Sequence, residues 1–365
     1  MTEDRPAVSK PFGTWREAVR APARAGAPVI DPAGWEPEAL AASDDWVYRF
    51  SAQDTAEIAE AVAGVERRGI DIVDLTRDDF PLPRLGELLT CVRRELLDGR
   101  GLAVLRGLPV ADWGRRRAAI AYFGIGHHIG APISQNAQGH ILGHVKDYGH
   151  SYDDPMARGY QTSAEMGFHA DHADYVGLLC LQTSKAGGAS LLASSVTLYN
   201  RMLAARPDLA ATLTEDFYWT RHGEIPPGAE PWYRQPVFAF EQGYFSARGA
   251  SSYIRKAQGL PGVPPFTEAQ LEAMALFQSM VRDCAATIEF EPGDIQFLHN
   301  HVILHTRTAF EDWPEAARKR HLLRLWLRDD DGRPVVPLMR ESFQGVHIAG
   351  FRPVMPLDEA GGQAA

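Results

Sequence analysis

From about Gly159 to Arg328 the chain is a succession of short strand-like segments punctuated by Gly, Pro and Asn. That texture narrows the fold more than any other feature. Segments 177–182, 190–195, 236–245, 287–290, 295–305 and 320–328 read as strands, and one long amphipathic stretch, 266–286, interrupts them as a helix. Upstream, the segment opening at Asp54 carries apolar residues at helical spacing behind an Asp cap. Segments 85–97, ending at Gly99, and 113–125 also read as helices, and 101–107 is a short apolar strand bracketed by glycines. Many short strands with helices around them predict a mainly β fold with flanking helices, a distorted double-stranded β-helix or jelly roll. Residues 1–50 are rich in Ala, Pro and Trp without periodicity and read as an arm wrapping one domain, 51–365.

Hydrophobic residues make up 45% and charged residues 23%, which suits a buried core and argues against disorder. Apolar runs such as 176–181 are far shorter than the roughly 20 residues a bilayer demands, so no membrane is expected. The first ten residues are polar and no hydrophobic block follows, unlike a signal peptide. Cys91, Cys180 and Cys284 are odd in number and widely spaced, which predicts inert, reduced thiols and a cytoplasmic protein. The net charge of −10 opposes binding to nucleic acid. It leaves room for a small anionic substrate in a locally basic pocket, and a homo-oligomer is compatible with it.

The triplet His169-Ala-Asp171 carries the first sign of chemistry. In an extended segment residues i and i+2 share a face, so an imidazole and a carboxylate can meet at one point. A third ligand from a distant strand would complete a 2-His-1-carboxylate face, the arrangement of non-haem Fe(II) oxygen chemistry. Alone the triplet is weak. Segment 295–305, read as one strand, sets His299, His301 and His305 at the same parity, more imidazoles than a core strand needs. Parity does not choose among them, and His299-Asn-His301 by itself would suit a cupin-like site.

The motifs run in the order His169-Ala-Asp171, Gly187-Gly-Ala-Ser190, Asn300-His-Val-Ile-Leu-His-Thr-Arg307 and Arg320-His-Leu-Leu-Arg324. This order resembles the TauD/TfdA-like (clavaminate synthase-like) 2-oxoglutarate oxygenases, over about residues 101–328 and with a metal-binding core of about 159–330. The resemblance implies an enzyme using Fe(II), 2-oxoglutarate and O2, with iron held by His169, Asp171 and His305. His299 and His301 are then expected as hydrogen-bonded core groups. Strand 320–328, read alone, would put its leucines inward and its arginines in water. The resemblance turns the arginines inward instead. It implies that Arg320 grips the far carboxylate of 2-oxoglutarate, with the Ser190 hydroxyl in place of the commoner Thr. Arg324 is implied nearer the substrate or the keto-acid end, and Arg318 lies before the strand in solvent.

The implied reaction releases succinate and CO2 while hydroxylating, desaturating or cyclising a small molecule, anionic or amino-acid-like. In such a family Gln135 and Asn136 border the active-site mouth and can touch substrate. Arg248 and Arg255, flanking Ser251-Ser-Tyr253, could grip a carboxylate but read as surface arginines. His172 and Asp174 fall outside the ligand pattern. The rivals are a cupin-type metalloenzyme using His299 and His301 without 2-oxoglutarate, a non-catalytic jelly-roll binding protein, and a JmjC-type hydroxylase. The long interval between Asp171 and His305 suits the last of these less well.

Overall fold

Strand His321–Arg328 is the spine of the structure, and every residue in it except Arg328 is buried. It pairs antiparallel with Tyr175–Gln182 on one side and with Leu142–Val145 and Ala131–Ile133 on the other. The sheet continues through Ile295–His299 and Leu102–Arg106 to an edge strand, Val47–Arg49, that pairs in parallel. A smaller antiparallel sheet holds Ala285–Ile288, Ser190–Ser194 and Ile303–Arg307. This computed structural model describes residues 19–136, 138–149, 163–250, 252–342 and 353–357. Gly159, where the strand-rich region opens, and the first part of the arm lie outside the described residues.

The two sheets face a shared core. Leu102, Val176, Leu298 and Trp326 from the large sheet pack in one cluster with Leu192, Ala193, Ile303 and Leu304 from the small one. The other face of the large sheet, through Phe297, Leu323, Leu325 and Leu327, packs on helices Ala52–Arg68, Leu85–Asp98 and Val110–His127. The fold is therefore mainly β with flanking helices on a jelly-roll core, as expected. Alternation in the spine strand does not separate core from water. It separates one interior from another. Among the described residues no helix is long and apolar enough to cross a membrane.

Several local expectations change. Segment 236–245 is not one strand but the end of Trp232–Pro236 followed by the hairpin Phe238–Glu241 and Tyr244–Ala247. Its turn, Gln242-Gly243, has positive φ at both positions (48° and 80°), the two-residue hairpin geometry. Segment 295–305 is also two strands, which join different sheets on either side of a turn at residues 300–302. The shared parity of His299, His301 and His305 therefore has no physical meaning. Segment 190–195 stops at Ser194, whose hydroxyl caps an unexpected helix, Ser195–Ala205. Asp54 is not a cap; Ser51 is, and Asp54 closes the reciprocal capping box three residues on. The helix expected over 266–286 runs Glu268–Val281 and ends in a short 3-10 turn. Within the arm, Val29 and Trp35 enter the core, and Asp31 pairs with the buried Arg333.

One histidine of the spine sets an acid limit. His321 is buried, with its Nε2 2.8 Å from His144 Nδ1. Burial first, then His144, Arg115 and Lys146, push its pKa down to about 3. A folded pKa below the unfolded value of 6.5 means that the unfolded chain takes up the proton first. Stability is then lost as pH falls below 6.5, by up to about 2 kcal/mol for this group near pH 5. Denaturant midpoints at pH 7.5 and pH 5 should show this slope, and His321→Asn should make it shallower, the other buried histidines supplying the remainder. An unchanged slope in the variant would refute the assignment.

Candidate active site

The three proposed metal ligands come from two segments stitched together by backbone. His169 and His305 exchange N–H···O=C bonds of 3.1 and 2.8 Å as an isolated antiparallel bridge, and their ring centroids are 4.5 Å apart. His169 thus sits at a bridge rather than in a regular strand, yet i and i+2 still converge. Asp171 is held on the same side by Asn300, whose Oδ1 accepts from Asp171 N–H (3.2 Å) and whose Nδ2 donates to the Ala173 carbonyl (2.9 Å). His301 then bonds Asp174 Oδ1 at 2.8 Å, and Asp174 Oδ2 accepts from Asp329 N–H. The turn at 300–302 therefore clamps the loop that carries the carboxylate. Asn300, His301 and Asp174 form the clamp.

His169, Asp171 and His305 each offer one ligand atom, and these atoms lie within 4.8 Å of one another. His169 Nδ1 is 2.9 Å from the Gly167 carbonyl, so it carries the proton and Nε2 is left as the donor. Asp171 Oδ1 accepts from Arg324 Nη1 at 3.1 Å. Oδ2 is buried without a hydrogen-bond partner, 3.7 Å from His305 Nε2. Burial opposes the charge on Asp171, but Arg324, with smaller help from the two imidazoles, brings its pKa down to about 2. Burial pushes His305 down to about 3 and lowers His169. A carboxylate with one orphaned oxygen beside two neutral imidazoles is the donor set that a divalent iron requires. The residues fit the metal.

Arg320 and Ser190 line a narrow cavity that reaches His169 and His305. Arg320 is 4% exposed, and its Nη1 has no hydrogen-bond partner. Burial pushes its pKa down to about 10, so the guanidinium remains charged at neutral pH. Gly188 (φ +78°) closes over it, and a Cβ there would meet Arg320 Nε at 3.0 Å. Ser190 Oγ donates to Gln296 Oε1 at 3.1 Å. Arg318 is exposed and lies over the Trp313 ring at 3.5 Å, outside the site as expected.

A second, larger cavity of about 450 Å³ opens over His169 and Asp171. Its lining includes Trp219, His222, Arg248, Tyr253, Arg324 and Trp326. Arg248, read as a surface residue, is 1% exposed, and its Nη1 donates to the Asp171 carbonyl at 3.3 Å. The available signal was Gly249-Ala250, small residues where the backbone meets the ligand segment. A Cβ on Gly249 would sit 3.4 Å from His169 Cα. Gln135 does not line this cavity. It is buried, accepts from Arg324 Nε at 2.8 Å and donates to the carbonyls of Ile141 and Arg324. Asn136 caps its own turn by accepting from the N–H groups of Gln138 and His140. His299, expected to be hydrogen-bonded, is buried with neither ring nitrogen partnered, against Tyr175 and His301.

Comparison with known proteins identifies the family. Residues 71–326 match the taurine catabolism dioxygenase TauD, TfdA family. The chain is 31% identical to the FR-33289 synthase of Streptomyces rubellomurinus over 84% of its own length and 92% of that protein. It is 32% identical to the taurine hydroxylase-like protein SAT17 of Stachybotrys chartarum, over 82% of this chain and 80% of that one. Among solved structures, asparagine oxygenase in complex with Fe(II), a hydroxyasparagine and succinate superposes with a TM-score of 0.60 at 20% identity, covering 78% of this chain and 94% of that one. The non-haem iron oxygenase OrfP in complex with Fe and alpha-ketoglutaric acid gives 0.58 at 17% identity, with the same coverage. This chain belongs to the TauD/TfdA family and is an Fe(II)- and 2-oxoglutarate-dependent dioxygenase.

Proposed function

We propose that His169, Asp171 through Oδ2 and His305 hold the iron, and that Arg320 with Ser190 receives the far carboxylate of 2-oxoglutarate. A small anionic or amino-acid-like substrate then enters the larger cavity, where Arg248 and Arg324 face it. The observation that carries this reading is Asp171 Oδ2, buried, without a partner and within a cluster of three ligand atoms. The hydroxyasparagine bound by asparagine oxygenase supports the substrate class. When bound, iron with 2-oxoglutarate and O2 supplies an oxidant for an unactivated C–H bond and releases succinate and CO2.

The protein's own work is positional. Arg324 occupies Asp171 Oδ1 and so leaves Oδ2 as the single donor oxygen, while Gln135 fixes the plane of that guanidinium. The Gly167 carbonyl keeps the His169 proton on Nδ1. Arg320 orients the co-substrate from the far end. The cupin alternative is disfavoured, because Asp174 already engages His301 and His299 faces Tyr175. We further infer one oxygenase domain, 51–365, preceded by the 1–50 arm and residing in the cytoplasm. In support, Cys180 and Cys284 are buried, free thiols pushed up by burial to about 12 and about 11.

The direct test is oxygen-dependent succinate release from purified protein, which should require both Fe(II) and 2-oxoglutarate. No succinate, together with no anaerobic charge-transfer band, would remove the reading. A sharper expectation concerns Arg324. Arg324→Ala leaves the Asp171 carboxylate buried without its main cation, so its pKa should rise from about 2. Iron retention, measured after desalting between pH 5 and pH 8, should then fail about a pH unit or more higher than in the wild type. Identical retention curves would mean that the Arg324–Asp171 pair does not tune the site.

A further inference from the structure

Strand Ile295–His299 carries a polar residue where the core asks for an apolar one. Its Ile295 and Phe297 face the helices, and Leu298 faces the space between the two sheets. Gln296 points the same way as Leu298, is wholly buried, and reaches across to Ser190 on the smaller sheet. Ser190 lines the narrow cavity shared with Arg320 and His305, and Gln296 stands behind it, outside that lining. The contact uses half of the amide. Oε1 accepts the Ser190 proton at 3.1 Å, while Nε2 is buried with no hydrogen-bond partner among the described residues. A half-turn of the amide reverses the pairing: Nε2 then donates to Ser190 Oγ, and Oε1 is the atom left over. Each arrangement makes one hydrogen bond and strands one buried atom. A core amide that is half satisfied in both orientations is uncommon and calls for a reason.

We propose that Gln296 is a positioning residue whose amide turns over to make Ser190 a donor to the far carboxylate of 2-oxoglutarate. This rests on the co-substrate reading above and deepens it. A hydroxyl has one proton to give, and a carboxylate accepts hydrogen bonds but offers none. While the Ser190 proton lies on Gln296 Oε1, the hydroxyl presents only lone pairs to an arriving carboxylate, and the two repel. With the amide turned, Nε2 donates to Oγ and the hydroxyl proton points into the cavity that Arg320 lines. The bond to the carboxylate is then charge-assisted, and the donation behind it strengthens it. Glutamine suits this task because one rotatable end carries both a donor and an acceptor. An ionised glutamate at the same place could only accept and would hold the proton back; protonated, it could donate again.

The test is the cost of Ser190→Ala in two backgrounds, read anaerobically from the metal-to-ligand charge-transfer absorbance of the Fe(II) protein. In the otherwise wild-type protein that change should weaken 2-oxoglutarate about tenfold, independent of pH between about 6 and 9. In the Gln296→Glu background the cost should fall as the introduced carboxyl ionises, to less than about twofold near pH 9. The control ligand is 2-oxopentanoate, which has a methyl group in place of the far carboxylate. Its affinity should change less than about twofold on Ser190→Ala in either background. If Gln296→Glu does not fold, the amide itself is observed by NMR in Zn(II)-loaded protein labelled with 15N at its glutamine side chains. The Gln296 amide protons, assigned by their loss in Gln296→Leu, should move downfield with 2-oxoglutarate and stay in place with 2-oxopentanoate. Three results would overturn the inference: an equal, pH-independent cost in both backgrounds, no cost in the wild type, or a matching loss for 2-oxopentanoate. Absence of the charge-transfer band in the wild type would remove the oxygenase reading along with it. A normal band with equal costs removes only the role of Gln296.

Discussion

Replacing His169 or His305 by Ala, or Asp171 by Asn, is expected to abolish iron-dependent turnover and to remove the stabilisation that Fe(II) confers on the protein. Each change deletes one of three donor atoms that lie within 4.8 Å of one another, and no other His, Cys, Asp or Glu among the described residues joins that cluster. Iron at about 100 times its dissociation constant adds about 2.7 kcal/mol to folding stability, a shift visible in thermal unfolding. The metal-free variants should melt near the metal-free wild type. His305 Nδ1 and Asp171 Oδ2 are buried without partners, so removing them surrenders no hydrogen bond. Asp171→Asn is the better variant at that position, because its amide oxygen can still accept from Arg324 Nη1. His301→Ala is the control. It should loosen the clamp on Asp174 and cost stability yet retain the Fe(II)-induced shift. If His301→Ala lost that shift and His305→Ala kept it, the distal ligand would be misassigned.

What could be read in advance, and what could not, follows from the range of each interaction. The helices and most strands are local, set by apolar periodicity and by caps within a few residues. The helices at Ala52–Arg68 and Leu85–Asp98 and the strand His321–Arg328 accordingly lie close to where the pattern puts them. Turns inside apolar runs were the weak point. Gln242-Gly243 and Asn300–Val302 are flanked by residues that would suit a strand, so periodicity ran straight through both. The identity of the inward face of His321–Arg328 was not local at all. Arginine alternating with leucine describes a strand half in water as well as it describes one between two interiors. What decides between them is the helical layer supplied by residues far upstream, between Ala52 and His127. Arg248 was misread for the same reason. Its burial depends on Trp219 and the His169–Asp171 segment, neither near it in sequence.

Arg320 should set the affinity for 2-oxoglutarate. Its guanidinium is almost wholly buried, Nη1 has no partner, and Asp312, the carboxylate nearest in its electrostatics, bonds the Arg320 backbone N–H. A carboxylate arriving in that cavity therefore meets a cation already desolvated, and removing the cation strands the carboxylate at a cost of about 3–5 kcal/mol. At about 1.4 kcal/mol per tenfold, Arg320→Ala should lose at least two orders of magnitude in affinity. Arg320→Lys should recover little, because an ammonium cannot present two parallel N–H donors and Gly188 is shaped to the guanidinium. Ser190→Ala removes a neutral hydroxyl that already donates to Gln296 and should cost about tenfold. Anaerobic titration of 2-oxoglutarate into the Fe(II) protein, followed by the metal-to-ligand charge-transfer absorbance, measures all three. If Arg320→Ala bound the co-substrate normally and Arg324→Ala did not, the register would be wrong by four residues. Strand parity could not have revealed that error, since Arg320 and Arg324 lie on the same face.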